Sequence, residues 1–476
     1  MNSKQVVLYP INYNSYKPIN IRFLLFWILL ASLFTVGFLL WDVTGIWVGV
    51  GLFFLLIVLI KISFLAGSQV PLVHLMVLNY FMELVVCSFI LYFYPPDPIY
   101  DIGHDQYPVY LSYVVPCCIA LYLGVVLAMK KAHWIPFKHL SLKKDFPAWA
   151  GYAKHFVWLG LFFTLVLITM RRSIPMSLTA IIVLLSSLRY VGFYTLILTG
   201  KKNWWIYGLL IFGVEIIIFL SAGFIHDLVL WGLGTLFVIS YRYSWKKRVP
   251  VILLLGFFLL FIIQTIKKDY RQSIWNIDIS IFDKISIFGD VATSHIAENN
   301  LFFRENISNT FARFNQGWIV NRVMEFVPDV EPYAKGTTLL RGLYAIIVPR
   351  FIDPNKPLAG GRENIQKFTG IILGEYTAMT ISVAGEMYAN FGPYGGIIGV
   401  GIFGYLIALL YRRLHKKALE NPVWWAWGPF LGFYAIKTSE GLWEIIGWIV
   451  RGIIIMMVVI FISNSLTKRH IISKTK

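Results

Sequence analysis

Apolar residues run along this chain in long blocks separated by short polar breaks. The blocks lie at about 23–41, 46–62, 72–94, 108–129, 150–170, 178–199, 204–222, 226–241, 249–266, 392–411, 423–437 and 442–463. A helix needs roughly 17–25 such residues to cross the hydrocarbon core of a bilayer. The shortest blocks are 46–62, 226–241 and 423–437. Backbone groups facing lipid must be satisfied within their own segment, so the blocks predict helices. The pattern predicts an all-α polytopic membrane protein with about twelve transmembrane helices. Residues 1–266 hold nine spans, 267–391 form one long external loop, and 392–476 hold three spans and a tail. The first block follows a polar stretch and has no A-x-A-like site after it, so it reads as a retained span.

Composition narrows the class. Of 476 residues, 58% are hydrophobic and only 14% charged, against about 25% charged in soluble domains. Disorder is excluded because disordered chains are poor in apolar residues. The net charge of +18 would suit a nucleic-acid binder, but the apolar blocks would not. Its distribution explains it instead. With the N-terminus inside, the cytoplasmic segments receive 24 Lys and Arg, opposed only by Asp145 and Glu420. The rest of the chain holds 18 basic and 22 acidic residues. This is the asymmetry that sets orientation, and it puts both termini in the cytoplasm.

Residues 267–391 are the only stretch long enough to build a site outside the lipid. Pro328, Pro332, Pro349, Pro354 and Pro357 punctuate it. Residues 293–326 and 337–348 read as amphipathic helices. The stretch is rich in arginine: Arg271, Arg304, Arg313, Arg322, Arg341, Arg350 and Arg362. External loops near a membrane normally lack Arg. Guanidinium binds phosphate bidentately and stays charged, so an external cluster suits a lipid-linked phosphate or pyrophosphate. The competing reading pairs each Arg with a local acid, and acidic residues equal the basic ones in number here. Arg171 and Arg172 stand in an external turn, as a further phosphate contact or as headgroup anchors.

Polar groups also lie inside the spans. Arg189 is a site candidate by default, because buried intramembrane charge is costly. Its competing reading is an ion pair with Glu83 or Glu215. His74, Asn79 and Glu83 share the third span, and His226-Asp227 open the eighth. Glu444 and Arg451 lie seven apart, which predicts a structural pair two turns along one face, with Lys437 and Glu440 just before them. Glu386, at the external entrance of the tenth span, is a candidate general base for a sugar hydroxyl.

Other motifs carry less. Gly399-Val400-Gly401-Ile402-Phe403-Gly404 matches G-x-G-x-x-G but lies in a span with no strand before it, which fails the dinucleotide reading. Gly392, Gly395, Gly396 and Gly399 suit close helix packing. Cys87, Cys117 and Cys118 lie in apolar blocks without CxxC spacing and read as buried small hydrophobes. No metal-ligand spacing is present, so neither metal nor cofactor is expected.

Two stretches resemble a known family. Gly336-Thr337-Thr338, followed by Val348-Pro349-Arg350-Phe351-Ile352-Asp353-Pro354-Asn355-Lys356-Pro357, is similar to a block of Wzy-type oligosaccharide repeat-unit polymerases. Gly385-Glu386-Met387-Tyr388-Ala389-Asn390-Phe391-Gly392 resembles the G-E-x-Y-x-N-F-G entrance of the next span in those proteins. Arg350 through Gly361 fits their loose R-x10-G pattern. Many relatives carry a Gly-Ser-Arg-like motif earlier; here Ser221-Ala222-Gly223-Phe224-Ile225-His226 lacks the Arg. The resemblance implies a metal-independent GT-C-like transferase in a bacterial cytoplasmic membrane, its site facing the periplasm or exterior. Donor and acceptor would be glycans on undecaprenyl pyrophosphate, with a flippase and a chain-length regulator as further partners. It implies Arg350 first, then Arg313 and Arg341, as pyrophosphate ligands, with Lys356, Arg171, Arg172 and Arg189 as further candidates. Glu386, with His226 as its rival, would be the base.

Three alternatives compete. An O-antigen-type ligase shares the architecture and differs in acceptor. A GT-C transferase using polyprenyl-phosphate sugars would place an acid in the first external loop, where Asp42 stands in a very short turn. A transporter or flippase of the major facilitator type would carry a charged turn after its second span, but Phe64-Leu65-Ala66-Gly67-Ser68-Gln69 lacks it.

Overall fold

The computed structural model describes residues 43–130, 146–170, 174–222, 226–243, 245, 248–274, 280–297, 303–348, 352–353, 355–356, 361–374 and 379–474. Every regular element among the described residues is a helix. The first group is α1 (Val43–Leu65), α2 (Leu72–Phe93), α3 (Tyr107–Met129), α4 (Ala148–Met170), α5 (Met176–Leu198), α6 (Trp204–Ala222), α7 (His226–Tyr243) and α8 (Val249–Ile274). The segment after α8 folds into α9 (Ile281–Ala297), α10 (Arg304–Phe314), α11 (Gly317–Phe326), α12 (Thr337–Ile347) and α13 (Arg362–Thr369). The chain ends with α14 (Ser382–Glu420), α15 (Trp427–Ile436) and α16 (Leu442–Lys474).

Among the described residues, nine helices are long and apolar enough to cross a membrane: α1–α6, α8, α14 and α16. Their outward faces carry Leu165, Leu209, Leu255, Phe258 and Phe461, all exposed. Lipid is the solvent that matches such a surface, and the chain is a helical polytopic membrane protein. The predicted block at 23–41 lies outside the described residues.

Three expectations change. The block at 226–241 forms the 18-residue helix α7, which is not among those nine. The block at 423–437 is not one long helix. Pro422 starts a 3-10 turn, Pro422–Ala426, and only the ten residues of α15 follow. At 1.5 Å per residue α15 is about 15 Å long. Its Trp427 and Phe430 are fully buried, so protein rather than lipid surrounds it. Of the stretch 293–326, residues 298–302 lie outside the described residues, and Asn315-Gln316 divides the later part into α10 and α11, whereas 337–348 forms α12 as expected.

Packing follows side-chain size. A Cβ on Gly124 of α3 would stand 2.2 Å from the Gly401 carbonyl oxygen of α14. Only glycine permits backbones that close. Within α14, Gly392 has φ 68° and ψ −169°, and Pro393 follows. These two residues bend the helix, so a short arm, 382–391, buried through Asn390, precedes the main span. The sequence pattern starts this span at 392, but helix begins ten residues earlier. The middle of α2, Phe81–Val86, is wound as a π-helix. Its carbonyls serve other elements: Leu84 accepts from Tyr110 Oη at 2.6 Å, and Glu83 from the Gln316 N–H at 3.3 Å. The first bond ties α2 to α3, and the second seats the α10–α11 corner on the bundle.

Candidate functional site

The two stretches that carry the family resemblance meet in space. Glu386 sits in the short arm of α14 and is 2% exposed. Thr338, in the first turn of α12, donates its hydroxyl to Glu386 Oε1 at 3.0 Å. Asn390, one turn beyond Glu386, donates from Nδ2 to Thr338 Oγ1 at 2.7 Å and to the Glu386 carbonyl at 2.8 Å. Asn390 Oδ1 accepts the Gly336 N–H at 2.9 Å. The Ala334 and Lys335 N–H groups bond the Ala389 and Asn390 carbonyls. A buried carboxylate, hydroxyl and amide thus satisfy one another, as buried polar groups must. Leu442 and Trp443, at the start of α16, close the site against Glu386.

A second group of charges surrounds the break between α15 and α16. Lys437 is 8% exposed. Its Nζ lies 3.0 Å from Asp227 Oδ1 in the first turn of α7 and 4.0 Å from Glu440 Oε1. Asn79 of α2 donates to Glu83 Oε1 at 2.8 Å, to the Ile436 carbonyl at 2.9 Å and to Thr438 Oγ1 at 3.3 Å. Glu444 is within Coulombic reach of Glu386 and Glu440. Burial raises the Glu440 carboxyl above its usual range; Lys437 opposes that rise and Asp227 adds to it. Carboxylates from three elements and one lysine therefore face a single non-helical turn, enclosed by α2, α7, α14 and α16. Unwound backbone inside a membrane protein is tolerated where protein encloses it or it lines a cavity.

The predicted basic residues separate into classes. Arg350, Arg171 and Arg172 lie outside the described residues. Arg341, at the surface, pairs with Glu363. Lys356 Nζ donates to the Val348 carbonyl at 2.6 Å and to that of Ala345, closing the C-terminal end of α12. Arg322 pairs with Glu325 at 3.0 Å, and Arg304 donates to the Phe93 carbonyl at 3.3 Å. The local-acid reading therefore holds for Arg322 and Arg341.

Arg189 is 6% exposed inside the bundle and pairs with Glu215. It also donates to Thr164 Oγ1 at 2.6 Å and to the Ser186 carbonyl at 2.8 Å. Its guanidinium ties α5 to α4 and α6. Arg313 is exposed near the end of α10 and lies close to Lys267 and Arg271 of α8. Among the described residues neither Lys267 nor Arg313 has a carboxylate within 4 Å.

His226 opens α7; its side chain lies outside the description, but its neighbour Asp227 reaches Lys437. The predicted Glu444–Arg451 ion pair is not formed. Two helical turns separate these residues by about 10 Å, and Arg451 Nε instead donates to the Gly447 carbonyl at 2.8 Å. Sequence alone does not mark Lys267, Thr338 and Asn390 as site residues. Thr338 and Asn390 stand inside the quoted motifs, and Lys267 lies one helical turn before Arg271. Among the described residues no cluster of three or more His, Cys, Asp or Glu is arranged to hold a metal ion.

Comparison of the chain with family models, curated proteins and solved structures finds no match.

Proposed function

We propose that this protein is a membrane glycosyltransferase that polymerises oligosaccharide repeat units carried on undecaprenyl pyrophosphate, at the outer face of a bacterial cytoplasmic membrane. The observation that carries the reading is the junction of the two family-like stretches, Gly336-Thr337-Thr338 and Gly385 through Gly392, around Glu386. An acceptor sugar hydroxyl attacks the anomeric carbon of the donor glycan. The C–O bond to pyrophosphate breaks, and the leaving group carries away the electron pair. A carboxylate takes the hydroxyl proton. Glu386 is the first candidate, with Glu440 and His226 as its rivals. Because Glu386 is held by Thr338 and nearly inaccessible, a proton-accepting role requires that contact to open. Otherwise Glu386 positions the α12 and α14 termini around the sugars.

Fixed cations stabilise the negative charge that grows on the leaving pyrophosphate. Arg350 has the first claim by motif. Arg313 belongs to a group with Lys267 and Arg271, a cluster of like charge that an anion would relieve. Arg341 and Lys356 are engaged with Glu363 and with helix carbonyls, so a ligand role for them requires an exchange of partners. Arg189, enclosed with Glu215, belongs to the scaffold. The membrane arrangement in this reading has about twelve spans with both termini cytoplasmic, supported by the distribution of Lys and Arg. A flippase and a chain-length regulator are the expected partners.

The test is incubation of purified protein, in nanodiscs, with a lipid-pyrophosphate repeat unit. A ladder on a gel is expected. Transfer to a second acceptor without a ladder would make the protein a ligase, and no transfer at all would remove the transferase reading. Arg350→Ala is expected to abolish the ladder while membrane insertion remains normal. Ladder lengths like those of the unmodified protein in that variant would withdraw Arg350 from the site.

A further inference from the structure

Helix α12 turns one face inward and one face out. Thr338, Gly342 and Ala345 are buried, at the i, i+4 and i+7 spacing of a single helix face. Leu340, Leu343, Tyr344 and Ile347 stand on the other side and are exposed among the described residues, Leu340 by 70% and Ile347 by 65%. Large apolar side chains grouped in this way mark an interaction surface rather than a scatter. The polar groups beside this face are already engaged. Arg341 pairs with Glu363, Tyr344 Oη donates to Asp353 Oδ2 at 2.8 Å, and Lys356 bonds the Ala345 and Val348 carbonyls.

What covers this face follows from where α12 sits. The indole of Trp443, at the start of α16, packs on Gly342 so closely that no Cβ would fit. One turn further along α16, a Cβ on Gly447 would stand 3.8 Å from Ile346 Cδ1. Trp443 and Gly447 head a stripe of α16 that continues through Val450, Ile454, Met457 and Phe461 at spacings of three and four, which is one helix face. Those last four are exposed, and Phe461 belongs to the outward surface that lipid matches. Helix α12 therefore lies over the end of a lipid-facing stripe, and its own far side replaces the surface it covers. Trp443 stands at the end of an apolar span, the level at which Trp is enriched in membrane proteins. A helix end closed by Lys356 rather than by solvent suits that depth.

We infer that α12 is a lipid-bound helix, its Leu340, Leu343 and Ile347 face seated in the acyl chains of the leaflet at the Leu442 end of α16. An amphipathic helix of this kind buries its apolar face roughly 5–10 Å into the boundary between headgroups and acyl chains. The face offers hydrocarbon and one phenol ring, so it takes acyl chains and selects no particular headgroup. The consequence reaches Thr338, in the first turn of the same helix, whose hydroxyl bonds Glu386. The bilayer then shares in holding the Thr338–Glu386 junction in place. The inference rests on the fold alone and needs no transferase activity.

The experiment uses the full-length protein in nanodiscs of a phospholipid that carries a diazirine on its acyl chain, with no polyprenyl lipid present. After irradiation, the adducts are mapped by digestion and mass spectrometry. Residues 450–461 serve as the lipid-facing reference and α15, enclosed by protein, as the unlabelled one. Adducts are expected on 340–347 at a yield like that of 450–461. Leu340→Glu combined with Ile347→Glu is expected to remove the adducts from 340–347 and keep those on 450–461, which also reports that the variant is inserted. The inference is overturned if 340–347 stays unlabelled while 450–461 is labelled, as open water or a second copy of the chain on this face would produce. It is equally overturned if the inserted double variant is labelled on 340–347 like the original. Should that variant fail to insert, labelling of the unmodified protein decides alone. No glycan substrate is added, so a negative result here leaves the transferase reading intact, and a missing ladder leaves this one intact.

Discussion

At the residue scale, the junction of Thr338, Glu386 and Asn390 is sensitive because each group depends on the other two. Thr338→Val conserves shape, removes the hydroxyl, and leaves Glu386 Oε1 and Asn390 Nδ2 each short of one partner. An unsatisfied buried polar group costs about 1–3 kcal/mol. The variant is expected to lose thermal stability and polymer output together, and Thr338→Ser to restore both. Unchanged melting and output in Thr338→Val would show that the junction is dispensable. The buried pair gives a contrast. Arg189→Met strands Glu215 without its countercharge, and breaking half of such a pair costs about 3–5 kcal/mol. Arg189→Met combined with Glu215→Met is expected to recover most of the folded yield in the membrane. A double variant as damaged as the single one would give Arg189 a duty beyond the scaffold. Sequence revealed some of these residues and not others. Glu386 and the two motif stretches were visible. Their mutual bonding was not, because 48 positions separate Thr338 from Glu386 and only tertiary structure joins them. Arg189 was visible as a charge in an apolar block, and its partner was visible only as one of two candidates.

At the element scale, blocks of about twenty apolar residues predict helices well, because lipid leaves the backbone no other choice. Short blocks predict less, because protein can enclose them. The turn Pro422–Ala426 and α15 are surrounded by Trp149, Tyr411 and Leu72 and need not match the bilayer. The start of α14 differs from the apolar pattern for a related reason. Ser382–Asn390 is too polar to read as a span but is buried, in part by α11 and α16. The break between α15 and α16 makes a pH-dependent prediction. Glu440 holds its proton more tightly in the folded state than when unfolded. Its contribution to stability is full below the ordinary carboxylate pKa and is lost as pH rises through the raised folded value. Melting temperature is therefore expected to fall across that range. Glu440→Gln, which cannot ionise, is expected to reduce the fall. An identical pH profile in the two proteins would show that Glu440 does not couple to folding, whatever Lys437, Asp227 and Glu444 contribute.

At the scale of the whole molecule, charge and apolarity describe two different things. Apolar blocks fix how often the chain crosses, and Lys and Arg fix in which direction. Reporter fusions within 94–107 and within 361–374 are expected to read out on the exterior. Fusions within 130–147 and after 467 are expected to read out in the cytoplasm. Fusions in 94–107 and 130–147 reporting the same compartment would remove the proposed orientation. The long segment after α8 is legible in sequence as a break between spans, but its internal folding is not, since amphipathic stretches leave their ends open. One contact sets how the assembled molecule can move. Gly124 and Gly401 leave no clearance between α3 and α14, so these two helices slide past one another only by clashing. They form one stiff mast, and the arm carrying Glu386 is hinged to its tip at Gly392. Under the proposed function, room for a lengthening glycan is opened by the other helices, since the α3–α14 contact has no slack to give.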